Sequence, residues 1–240
     1  TADYSASASA VTVYLDGRAG AGGDAQGDTL SAISILLGSA HADQLIGDTG
    51  AKAGIIKVGV SRGFKMKELD LRIYRAAARA SCITGAPIFT HLAVDTEPAL
   101  QIFAEEGLPC HRVLFGHADD GVSQGKVNEK GILAAGGRIG FDTFGYDLEL
   151  PDPPFWGRHR AERLQHFLRF LNTGLVDQVL ASADANCSPL GWPGVKGHTV
   201  NYLFEQLIPD LKAEGVDDAV IDRLFVKNTA EFLALQPIVS

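Results

Sequence analysis

The chain has 240 residues, 46% of them hydrophobic and 21% charged, with 27 glycines and a formal net charge of −8. That length can bury a full core and suits one domain, and the negative balance argues against non-specific binding to nucleic acid or to an anionic membrane. No stretch approaches the roughly 20 apolar residues that span a bilayer, and Cys82, Cys110 and Cys187 are too widely spaced for a zinc-type pair or a disulfide framework. The expected partner is therefore a small molecule, with no nucleic acid and no membrane. Thr1–Ala10 lacks the basic region and apolar core of a signal peptide, so a cytoplasmic location is the default expectation.

In chain order, the first fifty residues stand apart. Thr1–Ala10 is low in complexity, and Gly17–Gly27 is rich in Gly, Ala and Asp. Only Val11–Asp16 and Ile33–Leu37 read as strands here, and His41 falls alone in a helical-looking stretch. From Gly54 onward, short apolar runs alternate with segments of helical period. The run Gly54-Ile55-Ile56-Lys57-Val58-Gly59 reads as a buried parallel strand, in which a lysine is costly unless something uses it. Met66, Leu69, Ile73, Ala77 and Ala80 recur at helical spacing. Pro87-Ile88-Phe89-Thr90-His91 follows as a strand, then a helix capped by Thr96, running through Phe103 and stopping at Gly107. Val113-Leu114-Phe115-Gly116-His117 is the next strand, and 137–143 another. Leu164, Phe167, Leu168 and Leu171 line a helix, and Val179-Leu180-Ala181-Ser182-Ala183-Asp184 closes the strand series. Leu203, Phe204, Leu207 and Leu211 mark a further helix with Pro209 as a kink or break, and Asp217 caps a short one through Phe225.

Strand, helix and strand at this spacing mean βαβ units and a parallel sheet. An open doubly wound sheet and a closed barrel both fit. No Gly-rich phosphate loop follows a strand, and the candidate site residues end the strands, where barrel enzymes build their sites; both features favour the barrel. A complete barrel takes about 250 residues, and the first fifty are too few to supply three βα units. The expected fold is thus an α/β, TIM-type (β/α)8 barrel in a single domain over 1–240, incomplete or altered over 1–50.

The strand ends carry the chemistry. His91 and His117 are natural imidazole ligands for a divalent ion, and Asp184 is a natural carboxylate ligand. A lysine whose pKa is lowered by burial can react with carbon dioxide, giving a carbamate that bridges two metals. A Schiff base on Lys57 is the alternative. Taken singly, each residue has a blander reading. A strand-end histidine is more often structural, Lys57 could snorkel or pair, and Asp184 could cap the next turn. Four such residues at successive strand ends favour a site.

Ala53-Gly54-Ile55-Ile56-Lys57-Val58, Ala76-Ala77-Ala78-Arg79-Ala80-Ser81, Thr90-His91, Gly116-His117-Ala118-Asp119-Asp120 and the closing Asn228-Thr229-Ala230-Glu231-Phe232-Leu233 together resemble the phosphotriesterase family of the amidohydrolase superfamily. The resemblance covers roughly residues 47–235. It implies strands four to eight of a barrel over 51–240, two divalent metals (usually zinc), and a hydroxide activated between them that attacks a lactone, ester or phosphotriester. It makes Lys57 the carboxylated bridge, puts His91 and His117 on one metal, and gives Asp184 the second metal and the proton, which Asp120 relays outward. Barrels of this family often form homodimers.

Two departures qualify these expectations. The family's first strand carries a His-x-His pair, and no His-x-His occurs in this chain. One metal, or a degenerate non-catalytic barrel acting as a metal-binding or scaffold protein, is therefore the competing expectation. The family's phosphotriesterases also place a histidine where Thr143 stands, and threonine cannot shuttle a proton as imidazole does. The segment Asp142-Thr143-Phe144-Gly145-Tyr146 is closer to lactonase-like branches. Thr143, with Trp156 in a proline-rich loop and Trp192 in the loop after Asp184, is a candidate for the substrate pocket.

Overall fold

The computed structural model describes residues 1–33, 36–46, 54–60, 65–91, 95–119, 128–145, 160–184 and 201–235. The chain divides into two compact units, Thr1–Gly54 and Ile55–Ser240. Among the described residues, no helix is long and apolar enough to cross a membrane.

In the first unit, β1 (Ala2–Asp3), β2 (Thr12–Tyr14), β3 (Leu36–Leu37) and β4 (Gln44–Ile46) form two parallel pairs, β1 with β3 and β2 with β4. Tyr4, Val11, Val13 and Ala25 make a small core. Asp43 ties the pieces together, one of its oxygens accepting the Val11 N–H at 2.8 Å and the Ser39 hydroxyl at 2.7 Å. Gly22 has φ 76°, and a Cβ there would lie 2.6 Å from the Ala10 carbonyl, so the turn requires glycine. The strand expected over Val11–Asp16 contains β2. Only the end of the one expected over Ile33–Leu37 is described as strand. β1 and β4 are additional, and His41 lies in a bend, not a helix. Strands of two or three residues are too short to show a period of two.

The second unit contains β5 (Ile56–Val58), α1 (Glu68–Thr84), β6 (Ile88–Thr90), α2 (Thr96–Glu105), β7 (Val113–Phe115), α3 (Glu129–Ala134), β8 (Arg138–Phe141), α4 (Arg160–Leu171) and β9 (Val179–Ala181). Three short helices follow: α5 (Ile208–Ala213), α6 (Asp218–Asp222) and α7 (Asn228–Leu233). The sheet is parallel throughout, in the order β5-β6-β7-β8-β9. Strand order equals chain order with no reversal. A doubly wound sheet reverses at its switch point, so this is an α/β fold wound as an arc of a barrel.

Register assigns the faces. Ile88, Val113, Phe115, Ile139, Phe141 and Val179 are fully buried against Tyr74 of α1, Phe103 of α2 and Phe167 and Phe170 of α4. Burying each such side chain contributes about 1.5–3 kcal/mol. Lys57, Phe89 and Leu114 lie side by side on the opposite face, where Leu114 and Leu180 pack with Phe232 of α7. Just ahead of β7, Arg112 is buried and donates to the carbonyls of Gly85 and Phe232, which anchors α7 beneath the sheet.

The helix ends follow local chemistry. Asp70 accepts the Lys67 N–H at 2.8 Å at the start of α1, and Gly85 ends it with φ 74°. Thr96 is not the cap of α2. It is the first helical residue and is buried, while Asp95 precedes it and accepts the Met66 N–H at 2.8 Å. Asp217 caps α6 through the Ala219 N–H as expected, but the helix runs on through a π-turn, Arg223–Lys227, into α7. Pro209 neither breaks nor stops its helix. The π-turn Leu203–Leu207 precedes it, and the proline sits in the first turn of α5, where its missing N–H costs little.

Candidate active site

Period-two alternation carries the inner face of the sheet past the formal strand ends. Phe89 leads to His91 and Gly140 to Asp142, and ladder bonds continue just beyond the strands. The His91 N–H donates to the Val58 carbonyl at 2.7 Å, Ala118 to Gly140 at 3.0 Å and Ser182 to Phe141 at 3.0 Å. His117 is out of step, since Leu114 and Gly116 occupy the inner positions of its strand. Its backbone is left-handed, with φ 55°, and so is that of Asp184, with φ 42°. A non-glycine residue held there costs about 1 kcal/mol or more, and such strain clusters at functional sites.

These turns bring the strand-end groups together. The His91 and His117 rings stand edge to face with centroids 4.9 Å apart. His117 Nε2 lies 3.9 Å from Asp184 Oδ2. Lys57 Nζ sits 3.5 Å from the centroid of the Phe89 ring and 3.4 Å from the Thr90 carbonyl. Lys57 is exposed rather than buried, and among the described residues β5 pairs with β6 alone. Its ammonium is nonetheless crowded enough that desolvation lowers its pKa, with the Asp142 and Asp184 carboxylates opposing. His91 is exposed as well, Asp184 is half-buried and His117 is buried.

Asp142 is the organising residue that the sequence did not single out. Its Oδ1 accepts both the His117 backbone N–H at 2.7 Å and His117 Nδ1 at 2.8 Å. With Nδ1 engaged by the Asp142 carboxylate, Nε2 is the ring nitrogen presented toward Asp184. Asp142 Oδ2 is buried with no hydrogen-bond partner among the described residues. Two glycines leave the carboxylate its space. A Cβ on Gly116 would lie 2.9 Å from Asp142 Oδ2, and one on Gly140 2.8 Å from it. The visible signal was a glycine just past β7, Gly116, and another within β8, Gly140. Thr143 is buried, its hydroxyl donating to Asp119 Oδ2 at 3.0 Å. Burial and the neighbouring Asp142 charge raise the Asp119 pKa, with Arg163 opposing. Asp120, Trp156 and Trp192 lie outside the described residues.

His91, His117 and Asp184 are of the donor types that ligate divalent cations. A histidine whose Nδ1–H is engaged by a carboxylate is the usual form of a metal-binding imidazole, and the 3.9 Å between His117 Nε2 and Asp184 Oδ2 leaves room for donors that each reach about 2 Å. Among the described residues, no three of His, Cys, Asp and Glu form a ready metal cage.

A phosphotriesterase homology protein of Mycobacterium tuberculosis is 33% identical over 195 residues, 76% of this chain and 56% of its own length. An aryldialkylphosphatase of Saccharolobus solfataricus is 30% identical, over 76% of this chain and 58% of that protein. A point variant of the organophosphorus hydrolase of Deinococcus radiodurans superimposes with a TM-score of 0.63 at 26% identity, covering 78% of this chain and 57% of that one. A protein engineered for organophosphate hydrolysis from a weak promiscuous lactonase template gives 0.62 at 28% identity, over 78% and 59%. The chain thus spans little more than half the length of these relatives. The model of the phosphotriesterase family matches residues 38–233, and the chain belongs to that family.

Proposed function

We propose that the chain is a metal-dependent hydrolase acting on a lactone, ester or phosphotriester. The observation that carries the reading is His117, turned by a left-handed backbone, fixed at Nδ1 by Asp142 and directed through Nε2 at Asp184. Lys57, His91, His117 and Asp184 would hold the metal, with Lys57 carboxylated on Nζ by carbon dioxide as its proton leaves. Bound divalent ions, zinc by type of donor, would lower the pKa of a water and polarise the C=O or P=O group.

The chain's own residues supply the rest. Asp184 takes the proton of the attacking water, and Asp120 passes it outward. The Lys57 ammonium, left uncarboxylated, would instead stay over Phe89 as a plain cation. Thr143 offers no imidazole near the site, which favours lactones and carboxylic esters over phosphotriesters. Trp156 and Trp192 are proposed to wall the pocket for this small-molecule substrate, and a homodimer is the proposed assembly.

The absent His-x-His pair favours a second reading, a degenerate barrel that binds one metal or none and serves as a scaffold. Metal content and hydrolysis of lactone, aryl ester and phosphotriester panels distinguish the two. Chelator-sensitive turnover, abolished by Lys57→Ala, supports the hydrolase. One metal or none together with no turnover on any panel establishes the scaffold.

A further inference from the structure

Arg163 belongs to α4 in the helical layer, yet its side chain is wholly buried, and so is that of Asp119. Arg163 Nε stands 3.3 Å from Asp119 Oδ2. Asp119 has no part in the chemistry proposed above, but it is fully engaged. Its Oδ1 accepts the Asp142 N–H at 3.2 Å, and its Oδ2 accepts the Thr143 hydroxyl at 3.0 Å and the Thr143 N–H at 3.4 Å. Asp142 in turn holds the His117 backbone and ring. A buried polar path therefore runs from a helix on one face of the sheet, through the Asp119 carboxylate, to an imidazole at the strand ends.

Packing alone does not account for this pair. Removing two charges from water is costly, and a well-packed apolar pair of similar volume would seat α4 against the sheet without that cost. What an apolar pair cannot supply is three directed acceptor contacts to two consecutive residues, one of which orients the histidine. Asp119 accepts from both backbone N–H groups of the Asp142–Thr143 step, so it fixes the turn from which the Asp142 carboxylate projects. A small rotation of that step would move Oδ1 off Nδ1 and release the ring.

We propose that Asp119, held in place by Arg163, is a positioning residue: it fixes the Asp142–Thr143 step so that His117 keeps its proton on Nδ1 and presents Nε2 toward Asp184. The value of presenting Nε2 rests on the hydrolase reading, but the positioning itself does not. The test therefore uses metal-free protein and needs no turnover.

Long-range 15N–1H correlation spectra report which nitrogen of His117 carries the proton. The unaltered chain is expected to show a single Nδ1–H tautomer. Asp119→Ala and Arg163→Met are expected to give a mixture of tautomers and to weaken zinc binding, followed by calorimetry, by about 10- to 100-fold, the usual cost of losing a group behind a metal-bound histidine. Arg163→Lys keeps the charge and is expected to restore most of the Nδ1–H population. Asp119→Asn keeps the shape and one acceptor, so it serves where the alanine variant fails to fold, and it is expected to give an intermediate mixture. If these variants lower the melting temperature while the tautomer and the zinc affinity stay unchanged, the pair is a packing device and the proposal is overturned. Absence of hydrolysis by the unaltered chain would defeat the hydrolase reading alone, because the tautomer is read without it.

Discussion

His117, just past the end of β7, is buried and doubly bound to Asp142, whereas Lys57, within β5, and His91, just past the end of β6, are exposed. The difference extends to the helices behind them. α4 reaches the β7–β8 half through a wholly buried pair, Arg163 and Asp119. α1 and α2, behind β5 and β6, are joined at the surface, where Arg75 meets Glu105 at 2.6 Å and Glu106 at 2.5 Å, and Arg79 meets Glu106 at 2.6 Å. Both halves contribute to one constellation, but one is positioned by a desolvated network and the other by strand geometry. Contacts among buried polar groups are costly to break, because the groups left behind cannot turn to water. Exposed ones tolerate loss.

The sharpest way to break this contrast is to remove one ionisable side chain from each half and compare the cost. Asp142→Ala leaves the His117 N–H and Nδ1–H without their acceptor in a buried place. At about 1–3 kcal/mol for each of the two unsatisfied groups, a loss of about 2–6 kcal/mol is expected in urea unfolding. Lys57→Ala removes an exposed side chain and is expected to stay within about 0.5 kcal/mol of the unaltered chain, even where it abolishes turnover. Equal losses for the two substitutions would erase the distinction between a built half and an open one.

A smaller effect tests the space around Asp142. A Cβ on Gly116 would lie 2.4 Å from Phe89 Cε2 and 2.6 Å from the Thr90 carbonyl as well as meeting Asp142. Because the carbonyl is backbone and cannot swing aside, Gly116→Ala is expected to cost about 1–3 kcal/mol by overpacking. Gly54, on the β5 side, has nothing within 4 Å of its would-be Cβ, so Gly54→Ala is the matched control and is expected to be neutral. Differential scanning calorimetry on the pair decides the matter. A neutral Gly116→Ala would mean that the strand ends near Asp142 have slack.

The same contrast governs what the sequence revealed. The five strands were legible because each is an apolar run bounded by turn residues, and β5 to β9 all fall inside the expected segments. His91, His117 and Asp184 were legible because each ends such a run. Lys57 was found for a reason that does not hold in this unit, since it is exposed. Asp119, Asp142 and Arg163 were passed over because each looks ordinary alone. Arg163 reads as one charge among several on an amphipathic helix, and its partner lies 44 positions back in the chain. Pairings across such separations leave no periodic trace, and the left-handed backbone that turns His117 into the site is a tertiary outcome. In the first unit, β1 and β4 left no pattern to read.

The smallest expected effect lies at the surface seam of the open half. Arg79 and Arg75 hold the Glu106 carboxyl down to about 2 from its ordinary 4.5. A carboxylate with a depressed folded-state pKa binds fewer protons folded than unfolded, so its contribution is complete above the unfolded value and is lost as pH falls through the folded one. The stability difference between the unaltered chain and Glu106→Gln should thus be constant above about pH 5 and shrink between 4.5 and about 2. Because the pairs are exposed, salt near 1 M, where the screening length falls to about 3 Å, should shrink it as well. The buried Arg163–Asp119 pair should show no such salt response, since added ions screen desolvated charges far less. Melting temperatures across pH and salt for Glu106→Gln and Arg163→Met measure both seams at once. A salt response of equal size in the two variants would show that the Arg163–Asp119 pair is reached by solvent, and the contrast between the halves would then rest on Asp142 alone.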